Sequence, residues 1–150
     1  MLILLSAVGV ARILTAAADR SLSHTRAMCE LLSYTRRMIE SFSMSGEEIL
    51  GRCDDRLLGA CGYFLGVRPK SFIELFERCE IVDGECRRIF GDFCRNFGKG
   101  YRDEQLRNCE YCLSLLAARS EVLASENATK KKIIIASTLS VALMLAILLV

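Results

Sequence analysis

The chain has 150 residues, with eight cysteines, one proline and no tryptophan. Lys and Arg together number 20, and Asp and Glu number 18, but residues 21–129 carry 15 basic and 17 acidic side chains. The positive surplus therefore lies beside the two apolar ends, which favours a membrane surface over nucleic acid as a partner. The middle of the chain is long enough for one small domain.

The first 18 residues are apolar apart from Arg12. A signal peptide, a transmembrane helix and an amphipathic helix on the membrane surface compete as interpretations. A signal peptide would have basic residues before its apolar core, whereas Arg12 lies inside this run and Arg20 follows it. The pattern favours a short anchor at residues 1–18 and leaves open whether it spans the bilayer.

Residues 21–42 have helical periodicity, and a partner must cover their apolar face. That face contains Met28, Leu31, Leu32, Thr35, Met38, Ile39 and Phe42. Ser45 and Glu48 then form a capping-box pattern for a second helix. The second helix is predicted to bury Ile49, Leu50, Cys53, Leu57 and Cys61.

Two shorter helices are predicted next. Ser71 and Glu74 repeat the capping-box pattern, and the first short helix has an apolar face of Phe72, Leu75, Phe76 and Cys79. A break at Asp83-Gly84 precedes the second, which is predicted to bury Cys86, Ile89, Phe90, Phe93 and Phe97. A glycine between residues 98 and 100 is expected to end it in the left-handed conformation.

No glycine or proline occurs from Tyr101 to Val150. The first half of this segment has one apolar helical stripe, and the second half, residues 133–150, contains 18 residues without a charge. That length suits a short transmembrane helix. The sequence therefore predicts an all-α protein: a small antiparallel helical bundle at residues 21–129, whose long C-terminal helix continues into a membrane span at 133–150.

Basic residues mark the predicted membrane junction. Arg20 follows the N-terminal segment, and Lys130, Lys131 and Lys132 precede the C-terminal one. Because cytoplasmic loops are enriched in Lys and Arg, this placement predicts a bundle in the cytosol with both ends entering the membrane.

The cysteines are expected to be reduced and to pack as small apolar side chains. Cys109 and Cys112 form a C-x-x-C pair, but a zinc site would need two more ligands from Cys79, Cys86, Cys94 or His24. His24 is expected at a helix surface, and the sequon at Asn127 is attributed to chance because it lies on the cytosolic side. No catalytic set is present, so we expect a non-enzymatic protein without a cofactor.

Charged residues near the predicted turns are candidates for a partner surface. They are Arg36, Arg37, Asp54, Asp55, Arg102 and Asp103. A solvated face or a docking surface explains them better than an acid–base pair.

Three segments carry a resemblance to a known family. They are HTRAMCELLSYTRRMIESFSMSGEEIL at 24–50, SFIELFERCEIVDGECRRIF at 71–90, and FGKGYRDEQLRNCEYCLSLLAARSEVLASENATKKK at 97–132. With the two apolar ends, this order of features resembles the stage III sporulation protein AB family of endospore-forming bacteria. The resemblance covers nearly the whole chain. Its most telling part runs from Phe97-Gly98 to Asp103, with Gln105: a glycine-containing turn that opens the long polar helix.

The resemblance implies a membrane protein of the mother cell, in the channel complex that joins mother cell and forespore. Such a component is similar to the inner-membrane platform protein of type II secretion. Its implied partners are the secretion-type ATPase of the same operon, stage III sporulation protein AA, other membrane components of the channel, and the lipid bilayer.

Two other functions remain open from the sequence. One is a small cysteine-rich metal-binding or redox membrane protein that uses Cys109 and Cys112. The other is a generic tail-anchored adaptor outside sporulation. Self-association into a homo-oligomer is also left open.

Overall fold

The computed structural model describes the backbone of residues 2–148, and side chains for residues 15–137, 140 and 144. Six helices are present in this range: α1 (Leu2–Phe42), α2 (Gly46–Arg52), α3 (Asp55–Ala60), α4 (Phe72–Arg78), α5 (Gly84–Asn96) and α6 (Arg102–Leu148). The remaining residues of that range form turns and loops, and none is in a strand. The prediction of an all-α helical bundle is confirmed.

The two long helices, α1 and α6, run antiparallel beside each other. Arg36 of α1 forms an ion pair with Glu110 near the start of α6, at 2.8 Å. At the other end of the pair, the Asn127 amide donates to the Ala18 carbonyl at 3.0 Å. With 41 and 47 residues, the helices extend about 60 and 70 Å at 1.5 Å per residue. They form the long axis of the molecule.

The short helices α2 to α5 pack against the domain half of this pair and close a single core. Met28, Leu31 and Leu32 of α1 are fully buried, as are Phe90 and Phe93 of α5. Burying each large apolar side chain contributes about 1.5–3 kcal/mol. The predicted apolar stripes of these helices therefore do meet in the core.

Five phenylalanines pack together between α4 and α5. The ring of Phe72 lies edge-on to Phe93 at 5.3 Å and contacts Phe97 at 4.3 Å between ring centroids. Phe76 and Phe90 extend the cluster at 6.3 Å. Aromatic pairs at these separations add stability beyond the burial of their area, so this cluster fixes α4 on α5.

The predicted capping boxes are formed in one case and half formed in the other. At Ser45, the hydroxyl accepts from the Glu48 N–H and the Glu48 carboxylate accepts from the Ser45 N–H. At Ser71 the hydroxyl accepts from the Glu74 N–H, but the Glu74 carboxylate accepts from the N–H of Lys70. The second hydrogen bond of this capping box therefore comes from the N–H of Lys70, one residue before the expected Ser71.

The predicted second helix is divided into α2 and α3. Cys53 has an extended backbone, with φ −66° and ψ 145°, and Asp54 caps a new helix by accepting from the Arg56 N–H at 2.8 Å. An aspartate that can bond a following N–H competes with helix continuation. The break changes which side chain turns inward, so Leu58 is buried and Leu57 only partly so.

The end of α1 differs from the predicted apolar face. Phe42 is 63% exposed, because α1 ends there and the chain turns away at Ser43, whose φ is 51°. The later turn follows the prediction, since Gly98 has a φ of 79°, a conformation that glycine adopts without steric cost.

An ion pair joins the start of α5 to the middle of α6. The Arg119 guanidinium donates from Nη2 to Asp83 Oδ2 at 2.6 Å and from Nε to Oδ1 at 3.2 Å. Asp83 also caps α5 by accepting from the Cys86 N–H at 2.8 Å. These bonds to Arg119 hold the pKa of Asp83 below its ordinary value, against an opposing effect of burial.

The helix α1 is continuous through residues 18–21, where the sequence predicted the boundary between anchor and bundle. Among the described residues, no helix is long and apolar enough to cross a membrane. Most of the two segments predicted as anchor and span, residues 1–18 and 133–150, lie outside the residues whose side chains are described.

Candidate functional site: an arginine-lined cleft

Two of the predicted partner-surface residues hold the long helices together. Arg36 pairs with Glu110 at 2.8 Å. Arg102 donates from Nε to the Ile39 carbonyl at 3.2 Å and from Nη2 to the Glu40 carbonyl. Because carbonyls in the last turn of a helix lack partners within the helix, Arg102 caps the C-terminal end of α1. Both arginines already have structural partners inside the chain.

The predicted aspartates are likewise used by the fold. Asp54 is the N-cap of α3, and Asp55 forms an ion pair with Arg68 at 3.0 Å. Arg68 also donates to the Gly51 carbonyl, which joins the loop before Pro69 to α2. Asp103 is exposed on the first turn of α6. Four of the six predicted residues, Arg36, Asp54, Asp55 and Arg102, therefore have partners within the chain.

A cleft of about 420 Å³ lies between α1 and the turn from α2 to α3. It brings together two of the predicted residues, Arg37 and Asp54, with residues that the sequence analysis did not select. Its polar lining comprises Glu30, Tyr34, Arg37, Arg52, Asp54 and Arg56. We call it the arginine cleft.

The three guanidinium groups of the arginine cleft outnumber its two carboxylates, so the lining has an excess of one positive charge. Across the described residues, Arg37, Arg52 and Arg56 form no ion pair. Of the two carboxylates in the lining, that of Asp54 already accepts a backbone N–H, and Glu30 is exposed. Arginine presents several donors in a planar fork that suits carboxylate and phosphate. The cleft is thus suited to an anionic group.

Two titratable side chains in the cleft stay protonated at neutral pH. The Tyr34 hydroxyl lies 3.5 Å from the Ile49 carbonyl oxygen; burial raises its pKa, although nearby arginines oppose the shift. Burial also raises the pKa of the Cys53 thiol to about 11. Since a thiol reacts as the thiolate, Cys53 is a poor nucleophile here. Neither side chain adds a negative charge to the cleft at neutral pH.

The cysteines belong to the core. All eight are free, and every one except Cys29 is buried. Burial raises the pKa of Cys109 to about 12 and raises that of Cys112 as well. In the part of the chain that the structure describes, no three His, Cys, Asp or Glu side chains are placed to hold a metal ion. Cys109 and Cys112 pack as small apolar side chains against the rest of the core.

His24 is buried, so its predicted place on a helix surface is wrong. The side chain is 8% exposed, because the chain around Glu80 covers this part of α1. Its Nδ1 is buried and forms no hydrogen bond with any described residue. Loss of solvent, and secondarily the charge of Arg20, lower the pKa of His24.

The predicted membrane-junction residues lie at the same level of the helix pair. Lys131 of α6 forms an ion pair with Asp19 of α1 at 3.0 Å, and Arg20 follows directly. Between the two helices here is a groove of about 290 Å³. Its lining includes Ala18, Asp19, Lys130, Lys131, Ile133 and Ile134. We call it the junction groove.

Asn127 also lines this groove and is 5% exposed. Its side-chain nitrogen, the atom that glycosylation would modify, donates to the Ala18 carbonyl at 3.0 Å. The asparagine therefore joins α1 to α6, which agrees with treating the sequon as a chance match.

Several residues of the cleft and of the helix pair were missed by sequence reasoning. Arg52 and Arg56 flank the Cys53-Asp54-Asp55 segment. Two aspartates between two arginines could have indicated a turn that carries basic residues. Arg119 gave no signal, because its partner Asp83 is 36 residues away in the sequence.

Fold and cleft together define a class: a small all-α bundle with a basic cleft, built on a pair of long antiparallel helices. The chain matches no protein-family model, no curated protein and no solved structure. The arginine cleft and the helix pair are therefore the observations on which a function can be based.

Proposed function

We propose that this protein is a non-enzymatic, membrane-anchored platform whose arginine cleft docks an acidic surface of a cytoplasmic partner. The observation that carries the proposal is the convergence of Arg37, Arg52 and Arg56, which form no ion pair among the described residues, on one cleft. Arginine is enriched in protein interfaces and among the residues that dominate their energetics. A partner carboxylate would supply the charges that the cleft lacks.

The partner follows from the resemblance to the stage III sporulation protein AB family. In this proposal it is the secretion-type ATPase of the same operon, stage III sporulation protein AA. The protein then belongs to the channel complex between mother cell and forespore, couples the ATPase to the other membrane components, and is required for endospore formation. It resides in the mother-cell membrane that surrounds the forespore, with the bundle facing the cytosol.

Exposed apolar side chains on α6 support the membrane anchor. Ile133 and Ile135, just past Lys132, are 62% and 68% exposed, and Met144 is 70% exposed. Neighbouring large apolar side chains left exposed on one helix mark an interaction surface. The triple lysine immediately before them suits an anionic membrane surface, so the anchor is proposed to begin at residue 133.

Charge reversal in the arginine cleft tests the docking. The variant Arg37→Glu with Arg52→Glu and Arg56→Glu replaces three exposed arginines, so the fold should survive, as far-ultraviolet circular dichroism can verify. Like charges brought together across an interface cost several kcal/mol. We expect capture of the ATPase by the full-length protein to fall at least tenfold, and spore formation to fall with it.

A matched control reverses charge outside the cleft. Arg26, Lys99 and Arg107 are exposed basic residues outside the cleft. Arg26→Glu with Lys99→Glu and Arg107→Glu changes the net charge by the same amount and should keep ATPase capture and sporulation. A folded cleft variant that still captures the ATPase at the normal level would refute docking at the cleft. An equal loss of capture in both variants would show that overall charge, and not the cleft, determines ATPase binding.

A further inference from the structure

We infer that the junction groove binds the head group of an anionic phospholipid, with the lipid chains lying along the apolar continuation of α1 and α6. This inference rests on the membrane anchoring in the proposed function and adds a specific lipid site to it. The groove and the arginine cleft lie at different levels of α1, so the two sites can be altered separately.

The groove is fixed by two contacts between the long helices. The buried Asn127 amide bonds the Ala18 carbonyl at 3.0 Å, and Lys131 pairs with Asp19 at 3.0 Å one turn further along α6. Together they hold α1 and α6 at a constant separation around the groove. Its volume of about 290 Å³ is near the lower end of that found for small-molecule sites, about 300–1,000 Å³. It can hold a head group but not a whole lipid.

The charges around the groove suit a phosphate. Lys130 lines it and is exposed. Among the described residues Lys130 forms no ion pair, whereas Lys131 is engaged by Asp19. Lysine ammonium groups bind phosphate as point charges. Basic pockets between membrane helices on the cytoplasmic side bind anionic head groups in this way.

The apolar walls point to a lipid rather than a free phosphate ion. Ala18, Ile133 and Ile134 line the same groove as the lysines. From there α6 continues through Ile135 with no charged residue up to its end at Leu148. A ligand held at the lysines would therefore need an apolar portion to cover these walls, which an inorganic anion does not have.

Lipid binding to the purified full-length protein tests the inference. The delipidated protein in detergent is titrated with phosphatidylglycerol or with phosphatidylcholine of the same chain length, and bound lipid is counted by native mass spectrometry. We expect at least tenfold tighter binding of phosphatidylglycerol. Each lysine near an anionic lipid is worth about fivefold in affinity, so Lys130→Gln, which keeps the Lys131–Asp19 pair, should lower that preference about fivefold.

Two further variants separate a specific site from general charge. Lys70→Gln with Lys99→Gln removes two exposed lysines far from the groove and should change the affinity less than twofold. Ala18→Leu narrows the groove and leaves every charge in place, so it should weaken phosphatidylglycerol binding. Equal affinity for the two lipids, or affinity unchanged in both groove variants, would overturn the inference.

Competition with inorganic phosphate distinguishes the two sources of the anion. We expect millimolar phosphate to leave the bound lipid in place. If phosphate displaced the lipid, the groove would be a site for any anion, and the lipid assignment would be overturned. Flotation with phosphatidylcholine vesicles separates this failure from that of the proposed function. A chain that does not float contradicts the anchor and the groove site together, whereas one that floats without a lipid preference contradicts the groove site alone.

Discussion

The Arg119–Asp83 ion pair should be the costliest surface-accessible contact to remove, and Arg119→Met tests this. The pair joins the N-terminus of α5 to the middle of α6 by two parallel bonds, of 2.6 and 3.2 Å. Its side chains are 21% and 12% exposed. Methionine keeps the aliphatic stem of the arginine packed and removes only the guanidinium.

The magnitude follows from burial and bond geometry. Hydrogen bonds to charged groups contribute about 1.5–3 kcal/mol, and removing one partner of a fully buried pair costs about 3–5 kcal/mol. Asp83 keeps some contact with water and its bond to the Cys86 N–H, so the lower range applies. We expect Arg119→Met to lower the free energy of unfolding by about 2 kcal/mol, which is about 6 °C in Tm for a chain of this size.

The measurement is urea unfolding of the full-length protein in detergent, followed by far-ultraviolet circular dichroism. A matched control is Arg88→Met, which removes the exposed ion pair of Arg88 with Asp92 at 3.6 Å. Exposed pairs contribute about 0–1 kcal/mol, so the control should stay within about 0.5 kcal/mol of the wild type. Equal losses in the two variants would refute the assignment of strength to burial.

The pair also predicts how stability depends on pH. Because its bonds to Arg119 lower the pKa of Asp83 from the ordinary 3.8, an unfolded chain takes up this proton before a folded one does. The stabilisation is complete at neutral pH and is lost as the pH falls through 3.8 towards the folded pKa. The stability gap between wild type and Arg119→Met should therefore close in that acidic range. A gap that stayed constant down to pH 2 would contradict the pair as its source.

Two further predictions concern single positions in α1 and its end. His24 is the single histidine of the chain, and burial lowers its pKa from 6.5. The free energy of unfolding should therefore decline as the pH falls below 6.5 towards the pKa of the folded state. In urea unfolding between pH 7 and 5, His24→Leu should abolish this decline. Ser43 has a φ of 51°, so Ser43→Gly should stabilise the fold by about 0.5–1 kcal/mol. Ser33→Gly, in the interior of α1, should destabilise it by about as much. A loss of stability at both positions would contradict strain at Ser43.

The helices and most of their buried faces could be predicted because they depend on the pattern of residues within a short segment of the sequence. The stripe containing Met28, Leu31 and Leu32 has a period that only a helix satisfies, and its partner need not be known to infer that it is buried. The Ser45–Glu48 capping box was predictable for the same reason, since both of its hydrogen bonds lie within four residues. A left-handed glycine between residues 98 and 100 was predictable from residue identity alone, and the structure assigns it to Gly98.

What sequence reasoning missed depends on contacts between distant segments. The burial of His24 requires the chain near Glu80 to fold over α1, and nothing near residue 24 indicates that. The arginine cleft needs Arg37 of α1 to lie beside Arg52 and Arg56, which the break at Cys53 makes possible. The sequence showed that Arg36 and Arg37 are charged residues of one helix. Only tertiary packing decides that Arg36 faces α6 and Arg37 faces the cleft.

One continuous helix connects the two proposed sites. Helix α1 carries Arg37 of the arginine cleft and Asp19 of the junction groove, 18 residues apart, which is about 27 Å at 1.5 Å per residue. No glycine or proline interrupts α1 from residue 10 to residue 42, and sharp kinks arise mainly at such residues. The contacts of Asn127 and Arg36 also fix α1 to α6 at both levels. A force applied at the cleft would therefore move the junction as part of the same rigid pair, which is the mechanical property that the proposed platform requires.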